Sequence, residues 1–465
     1  MAEKKSERRD KMFYEQKNGY DIISERDREA MRAYCNGYSE FLDIARTERL
    51  AVSRAVIMAE EKGFVRLTPE LKLEPGKKVY KTNRGKAIML AVIGKDPIAQ
   101  GANIVAAHLD APRLDLKQLP LYEDSDLAFF KTHYYGGIKK YQWLAIPLEL
   151  HGVVVLKGGA VVDISIGNAA GDPAFVITDL LPHLAADQVK KSLADAIPGE
   201  SLNILIGSES DAEKGKDRVK LMVLSILNER YGIAEEDFLS AELIAVPAFP
   251  TRDIGLDRSM IGGYGHDDRV CSYAGLLALL DTKKPSRTAV CVLADKEEIG
   301  SEGVTGMQSQ AFELFMELLC RAQGADMREC FENSLCISAD VCNGFDPNFP
   351  EVSEKRNNAK LNFGVALMKY TGARGKSGAN DANAEIVARM RRILSDAGVI
   401  MQTTELGKVD QGGSGTVAAY MARRNIDTID AGVPVLSMHA PFEIVSKLDS
   451  YMTYKAMKAV YEEKL

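Results

Sequence analysis

Several things that would narrow the function of this chain are missing from it. Its seven cysteines include no Cys-x-x-Cys pair, and an odd number cannot pair completely within one chain, so a reducing, cytoplasmic setting is expected. Cys291 and Cys336 fall inside apolar stretches, where a thiol serves as a small hydrophobe. No run approaches the roughly 18 apolar residues of a membrane span. The opening Met1-Ala2-Glu3-Lys4-Lys5-Ser6-Glu7-Arg8-Arg9 has no apolar core behind it, as a signal peptide would. Positive charge is not in excess, since 59 Lys and Arg against 66 Asp and Glu leave a formal charge of -7, which counts against nucleic acid as a partner. Repeats and low-complexity segments are lacking too. What remains is an ordinary globular composition, 46% apolar and 27% charged, over 465 residues. That length is more than one core readily fills, so a main domain with a second or inserted one is expected.

The most informative stretch runs from Ala289 to Gly300. Six small or apolar residues lead straight into Asp295-Lys296-Glu297-Glu298, which reads as a buried strand ending at its C-terminal edge, where open α/β sheets place their sites. Two adjacent glutamates can do different work there: one carboxylate holds a metal while its neighbour, turned elsewhere by the backbone, takes a proton from water. A bare Glu-Glu pair is more often solvated surface charge. Its weight comes from four other strand ends with matching chemistry.

The first is Ala107-His108-Leu109-Asp110-Ala111-Pro112-Arg113, after a strand at Ile104 to Ala107. An imidazole there, with a carboxylate two positions on, suits a metal ligand oriented by an acid; a capped loop around a core histidine explains the fragment equally well. Gly265-His266-Asp267-Asp268-Arg269 precedes an apolar helix, where paired aspartates either cap the helix or bridge cations. Asp340 ends the strand Leu335 to Ala339. His439, in Leu436-Ser437-Met438-His439, follows a strand at Thr428 to Val433. The loop Asp410 to Thr416 lacks both the Lys-Ser/Thr ending of a phosphate loop and a dinucleotide fingerprint, so Gly413 is expected to line substrate or to permit a close-packed turn.

Around these stretches the periodicity predicts one or two helices over Glu25 to Lys62, and further helices near Met307 to Ala322, Ala382 to Leu394 and Lys447 to Glu463. Residues 113 to 250 differ in character, with antiparallel strands expected at Trp143 to Leu150, Gly152 to Leu156 and Ala160 to Ile166, and helices near Ala185 to Ala196 and Asp217 to Tyr231. The site chemistry stops at Asp110 and resumes at His266, so residues 1–112 and 251–465 read as one discontinuous catalytic domain and 113–250 as an insert. His133, His151 and His183, within the insert, have no second ligand at metal spacing and are expected to be structural. The fold class is α/β: a mostly parallel, doubly wound sheet with helices on both faces, plus a β-rich inserted domain.

In such a sheet the loops after the strands converge on one edge. His108, Asp267, Glu298, Asp340 and His439 supply two imidazoles and three carboxylates, a set suited to two zinc-like ions sharing Asp267 and one water. The same N/O ligands accept cobalt or manganese.

The order His-x-Asp, Asp-Asp, Glu-Glu, Asp, Met-His resembles the co-catalytic zinc aminopeptidases. The stretches around His108, Asp295 to Ser301 and Leu436 to His439 are similar to family M18, the aspartyl aminopeptidases, and the likeness spans nearly the whole chain. It implies that His108, Asp340 and bridging Asp267 hold one zinc, and His439, Glu298 and Asp267 the other. Asp110 would orient His108, and Glu297 would be the general base. The substrates would be short peptides with a free N-terminus, cleaved one residue at a time by a homo-oligomer, in the family usually a tetrahedral dodecamer whose insert makes dimer contacts and covers the site.

The chain departs from the family pattern at His266-Asp267-Asp268-Arg269, which is closer to the related M42 aminopeptidases. Gly136-Gly137-Ile138-Lys139-Lys140-Tyr141 lacks a histidine that reaches a neighbouring subunit, and Ala440-Pro441-Phe442-Glu443 also differs. A preference for acidic first residues would need a cation in the pocket, for which Lys369 and Arg374 are the candidates. Two other readings are a deacylase or carboxypeptidase-like hydrolase on the same two metals, which would prefer blocked amines or free carboxylates, and a non-catalytic oligomeric scaffold, which would have no need of Glu297.

Overall fold

The computed structural model describes residues 8, 9, 11–413 and 415–464. Before the insert come strands β1 (Val65–Arg66), β2 (Lys78–Asn83), β3 (Ala87–Val92) and β4 (Ala102–His108). Then follow β5 (Arg113–Asp124), β6 (Leu127–Tyr135), β7 (Leu148–Val155), β8 (Val161–Ile166), β9 (Ile204–Gly207) and β10 (Ala241–Pro247). The second half carries β11 (Arg252–Ile254), β12 (Met260–Gly263), β13 (Thr288–Ala294), β14 (Leu335–Ala339), β15 (Cys342–Asn343), β16 (Val365–Met368), β17 (Met401–Thr403), β18 (Asp427–Gly432), β19 (Pro434–Leu436) and β20 (Glu443–Ser446).

Nine strands form the main sheet in the order β1-β2-β3-β13-β4-β14-β18-β16-β17. Its centre, β13-β4-β14-β18, is parallel throughout. The sheet as a whole is mixed, because β3 pairs antiparallel with both β2 and β13, and β16 antiparallel with β18. β2 and β3 are joined by the short turn Arg84–Lys86, and so short a connection returns the chain antiparallel. Alternation along the central strands feeds two cores, as a sheet covered on both faces requires. Val105, Ala107, Cys291 and Leu293 pack with the helices Glu25–Ile44, Glu48–Glu61, His266–Asp281, Ala384–Asp396 and Lys447–Glu462. Ile104, Ala106, Val290 and Val292 pack on the opposite face with the helix Ala311–Ala322 and the short helices Met327–Glu332 and Val417–Ala422.

Between β4 and β11 lies a separate antiparallel sheet, β8-β7-β10-β5-β6-β9, with its own core around Trp143 and Phe238 and the helix Arg218–Tyr231 against it. Two expectations fail in this stretch. Ala185 to Ala196 is not one helix, and only the turn Leu193–Ala196 is helical. Leu184, Val189 and Leu193 there are exposed, so no buried face sustains a longer helix. Nor does a strand begin at Trp143: Lys140–Trp143 is a 3-10 turn and β7 starts at Leu148, after Pro147, which has no N–H for the ladder.

A third sheet, β11-β12-β20-β19-β15, is absent from the sequence reading, because strands of two to four residues are too short to show a period. It stands at the edge where the central strands end, leads the chain into Asp267 from β12 and holds it on either side of His439 through β19 and β20. Gly432, the last residue of β18, passes so close to the next loop that a Cβ there would lie 1.7 Å from the Asp340 carbonyl oxygen. Gly432→Ala is therefore expected to destabilise the fold by about 1–3 kcal/mol; an unchanged urea midpoint would show that this packing is not needed.

Candidate metal centre

β13, β4 and β14 are parallel neighbours, so their C-terminal ends lie side by side. Opposite His108, the last residue of β4, stands Ala294, the last of β13. The chain then turns through Lys296 in the left-handed region into Glu297-Glu298. Asp340 follows directly on β14. Asp267 arrives from β12 and has non-helical backbone ahead of the helix proper. His439 arrives from β19, also at positive φ.

These side chains meet in two groups, His108 with Asp267 and Asp340, and His439 with Asp267 and Glu298, each with its candidate ligand atoms within 4.8 Å of one another. Asp267 is common to both. Its Oδ1 lies 3.2 Å from His108 Nε2 and its Oδ2 lies 3.1 Å from His439 Nε2. Asp340 Oδ1 is 3.7 Å from His108 Nε2, and Glu298 Oε2 is 3.4 Å from His439 Nε2.

The far nitrogens of both rings face acceptors. His108 Nδ1 donates to the Asp110 carbonyl at 3.0 Å, and His439 Nδ1 to the Gly137 carbonyl at 2.8 Å. A carbonyl can only accept, so each neutral ring carries its proton on Nδ1 and turns a lone pair on Nε2 toward Asp267.

Glu297 belongs to neither group. It lies at the side, with Oε2 3.9 Å from His108 Nε2. Burial, then Asp340 and its fellow carboxylates acting against His108, push it up to about 8. Asp110 sits behind the pair, accepting the Glu297 N–H on Oδ1 and the Glu298 N–H on Oδ2, each at 3.1 Å, and the Tyr135 hydroxyl on Oδ2 at 2.7 Å. Burial alone would raise Asp110, but His108, Tyr135 and Arg113 outweigh it and hold the carboxyl below its ordinary range. Glu298 is pushed well up, by burial first and by Asp267 next.

Buried carboxylates crowded in this way are costly without cations, and among the described residues Glu298 Oε1 has no hydrogen-bond partner. Imidazole nitrogens and carboxylate oxygens, with an uncommitted oxygen among them, fit divalent zinc-like cations.

A residue that sequence reasoning did not single out ties the centre together. Glu443, 1% exposed at the start of β20, accepts the Asp267 N–H on Oε2 at 3.0 Å and the His439 N–H on Oε1 at 2.6 Å. Its only signal in the sequence was a carboxylate four positions after His439. Asp268 belongs to neither group; burial, then Asp340's charge, push its carboxyl well up. His266 is also structural, bonded to Tyr38, and His151 pairs with Glu149 inside the antiparallel sheet.

A cavity of about 450 Å³ opens onto the centre, lined by Met368, Thr371, Leu406, Thr416 and Tyr420 beside the acidic residues. Lys369, Arg374 and Gly413, expected to contact substrate, do not line it. Lys369 reaches Asp381 at 3.3 Å, and Arg374 is exposed. Gly413 is a close-packed turn, where a Cβ would come within 2.6 Å of the Thr371 carbonyl. Ser414, in the same loop, lies outside the described residues.

The family model described as "Aminopeptidase I zinc metalloprotease (M18)" matches residues 41–461. The chain belongs to the M18 peptidase family. The "Probable M18 family aminopeptidase 1" of Clostridium acetobutylicum is 48% identical over 458 residues, covering 96% of this chain and 98% of its own. The crystal structure of the M18-family aminopeptidase of Thermotoga maritima matches with a TM-score of 0.93 at 45% identity, covering 97% of this chain and 100% of that one. The mApe1 dodecamer of S. cerevisiae has the same fold at 20% identity, with a TM-score of 0.76 over 94% of this chain and 97% of its own. This M18 chain is thus a zinc-dependent aminopeptidase by family, with the family's mixed α/β architecture.

Glu443→Ala would leave two buried N–H groups unpaired, at about 1–3 kcal/mol each. Zinc affinity, measured by competition with a chromophoric chelator, is expected to fall about 10–100-fold; unchanged affinity would show that Glu443 does not hold the two segments.

Proposed function

We propose that this M18 protein removes the first residue from peptides with a free amino terminus, using two zinc ions held by His108, Asp340, Glu298, His439 and a shared Asp267. The observation that carries this reading is the sharing itself, with one carboxylate facing two imidazoles through separate oxygens. When bound, such ions supply Lewis acidity that activates water and polarises the scissile carbonyl. Glu297, in the cavity lining, takes the proton of the attacking water and returns it to the leaving amine. Asp110 holds the main chain of Glu297 and Glu298, so the acid and the neighbouring ligand keep their relative placement.

The cavity wall bears on the choice of first residue. Among the described residues it carries no lysine or arginine, and Met368, Leu406 and Tyr420 flank the acidic cluster. The acidic preference suggested by the aspartyl members therefore has no lysine or arginine partner among the described residues of this cavity, and we read the pocket as suited to an uncharged side chain. A second cavity, of about 670 Å³, continues past His439 and Met438 toward Phe349 and Asn343, and the rest of the peptide is assigned to it.

Residues 113–250 are read as the dimerisation and lid domain, and 1–112 with 251–465 as the catalytic domain. Leu180, Leu181, Leu184, Val189 and Leu193 stand exposed on the insert, a surface that association would cover, consistent with a homo-oligomer of the dodecameric kind. All seven cysteines are free and buried, which supports a reducing cytoplasm.

Chelation should abolish cleavage of an aminoacyl p-nitroanilide, and zinc, cobalt or manganese should restore it. Glu297→Gln is expected to lose about 10²–10⁴-fold in turnover while retaining its metal; loss of the metal from that variant would move Glu297 out of the base role. N-acetylation of the substrate should stop the reaction, and cleavage of the blocked compound would point instead to a deacylase. Leu p-nitroanilide should be turned over faster than the Asp compound, and the reverse order would restore the acidic preference.

A further inference from the structure

The metal centre is held in part by a strand end outside the sheets that carry its ligands. Tyr135 closes β6 in the insert and is 7% exposed, with its hydroxyl donating to Asp110 Oδ2 at 2.7 Å. Arg113 is its cross-strand partner, with the guanidinium 3.9 Å from the centre of the phenol ring. Arg113 in turn donates to Glu48 Oε2 at 3.2 Å, at the start of the helix Glu48–Glu61. The ring is therefore pinned from the catalytic side of the molecule.

Two residues beyond Tyr135, the Gly137 carbonyl accepts the His439 Nδ1 proton. Between them Gly136, at φ 73°, passes so near that a Cβ would lie 3.4 Å from Glu298 Oε2. One short segment thus bonds Asp110 and His439 and passes beside Glu298.

The plain reading is that Tyr135 merely satisfies its own buried hydroxyl. Its acceptor, however, already takes the Glu297 and Glu298 N–H groups. A carboxylate so engaged is not needed to settle one phenol, whereas the phenol adds a fixed point to the carboxylate.

We propose that Tyr135–Gly137 is a positioning segment for the metal centre. The Tyr135 hydroxyl holds Asp110, and through it the Glu297–Glu298 turn and His108; the Gly137 carbonyl holds His439 with Nε2 turned to Asp267 and Glu298. The inference rests on the two-cation reading. Its consequence is that seating of the insert and retention of metal are coupled, because displacing β6 loosens both ligand groups at once.

The test uses the full-length protein, Tyr135→Phe, and the control Tyr134→Phe, whose side chain is 42% exposed. Zinc affinity is measured by chelator competition, the ligand field by visible absorption of the cobalt-loaded protein, and exchange of the Glu297 and Glu298 amides in metal-free protein by hydrogen-deuterium NMR. Tyr135→Phe should weaken zinc binding about 10–100-fold, shift the cobalt bands and speed exchange of both amides, with the urea midpoint little changed. The control should match the wild type in all three. Wild-type protein that binds two zinc ions while Tyr135→Phe keeps the same affinity, spectrum and exchange overturns the positioning role alone. Wild-type protein that binds no zinc overturns the two-cation reading, and this inference with it.

Discussion

The Asp267 carboxylate is, among the described residues, the one candidate ligand common to the two halves of the site. One oxygen faces His108, at the end of a central parallel strand, and the other faces His439, delivered by a different, smaller sheet. A buried carboxylate so placed is stable only if its charge is answered on both sides, so two groups of opposite or cationic character are required at fixed distances. That demand accounts for the placement of the surrounding elements. The edge where β13, β4 and β14 end supplies the Glu297-Glu298 turn, His108 and Asp340, while the five-stranded sheet supplies Asp267 and His439.

Holding such a cluster needs donors behind it. Asp110 and Glu443 have parallel tasks on opposite sides: each is a buried carboxylate that takes two main-chain N–H groups from segments bearing candidate ligands. Fixing the backbone in this way fixes where the side chains begin, and ligand geometry is decided there more than by rotamer choice. The insert adds the phenol of Tyr135 and the carbonyl of Gly137, so a sheet with its own core also bears on the centre.

Much of this could be read from residue order. Apolar runs that break into charge mark strand ends, and the amphipathic spacing from Glu25 onward marks the two helices that form there. His108, Asp267, Glu298, Asp340 and His439 stand out because each follows such an end, and the structure brings them within reach of one another. Glu443, Tyr135 and the third sheet did not stand out. A carboxylate that accepts main-chain N–H groups looks like any other carboxylate in a sequence, and a strand of three residues has no period. Lys369 and Arg374 stand outside the cavity lining for a related reason: charge type is visible in the sequence, but the direction of the side chain is not, and Lys369 turns to Asp381.

The sequence by itself determined the kinds of chemistry available and the strand ends at which they sit, because burial patterns and ligand types are local properties of the chain. Tertiary structure decided that a separate Asp267 oxygen faces each histidine, which nitrogen each ring turns inward, and that no lysine or arginine lines the adjoining cavity among the described residues. Those are relations between segments as much as 302 positions apart, as from Gly137 to His439, and they arise from strand order and from main-chain hydrogen bonds that leave no mark in composition or spacing.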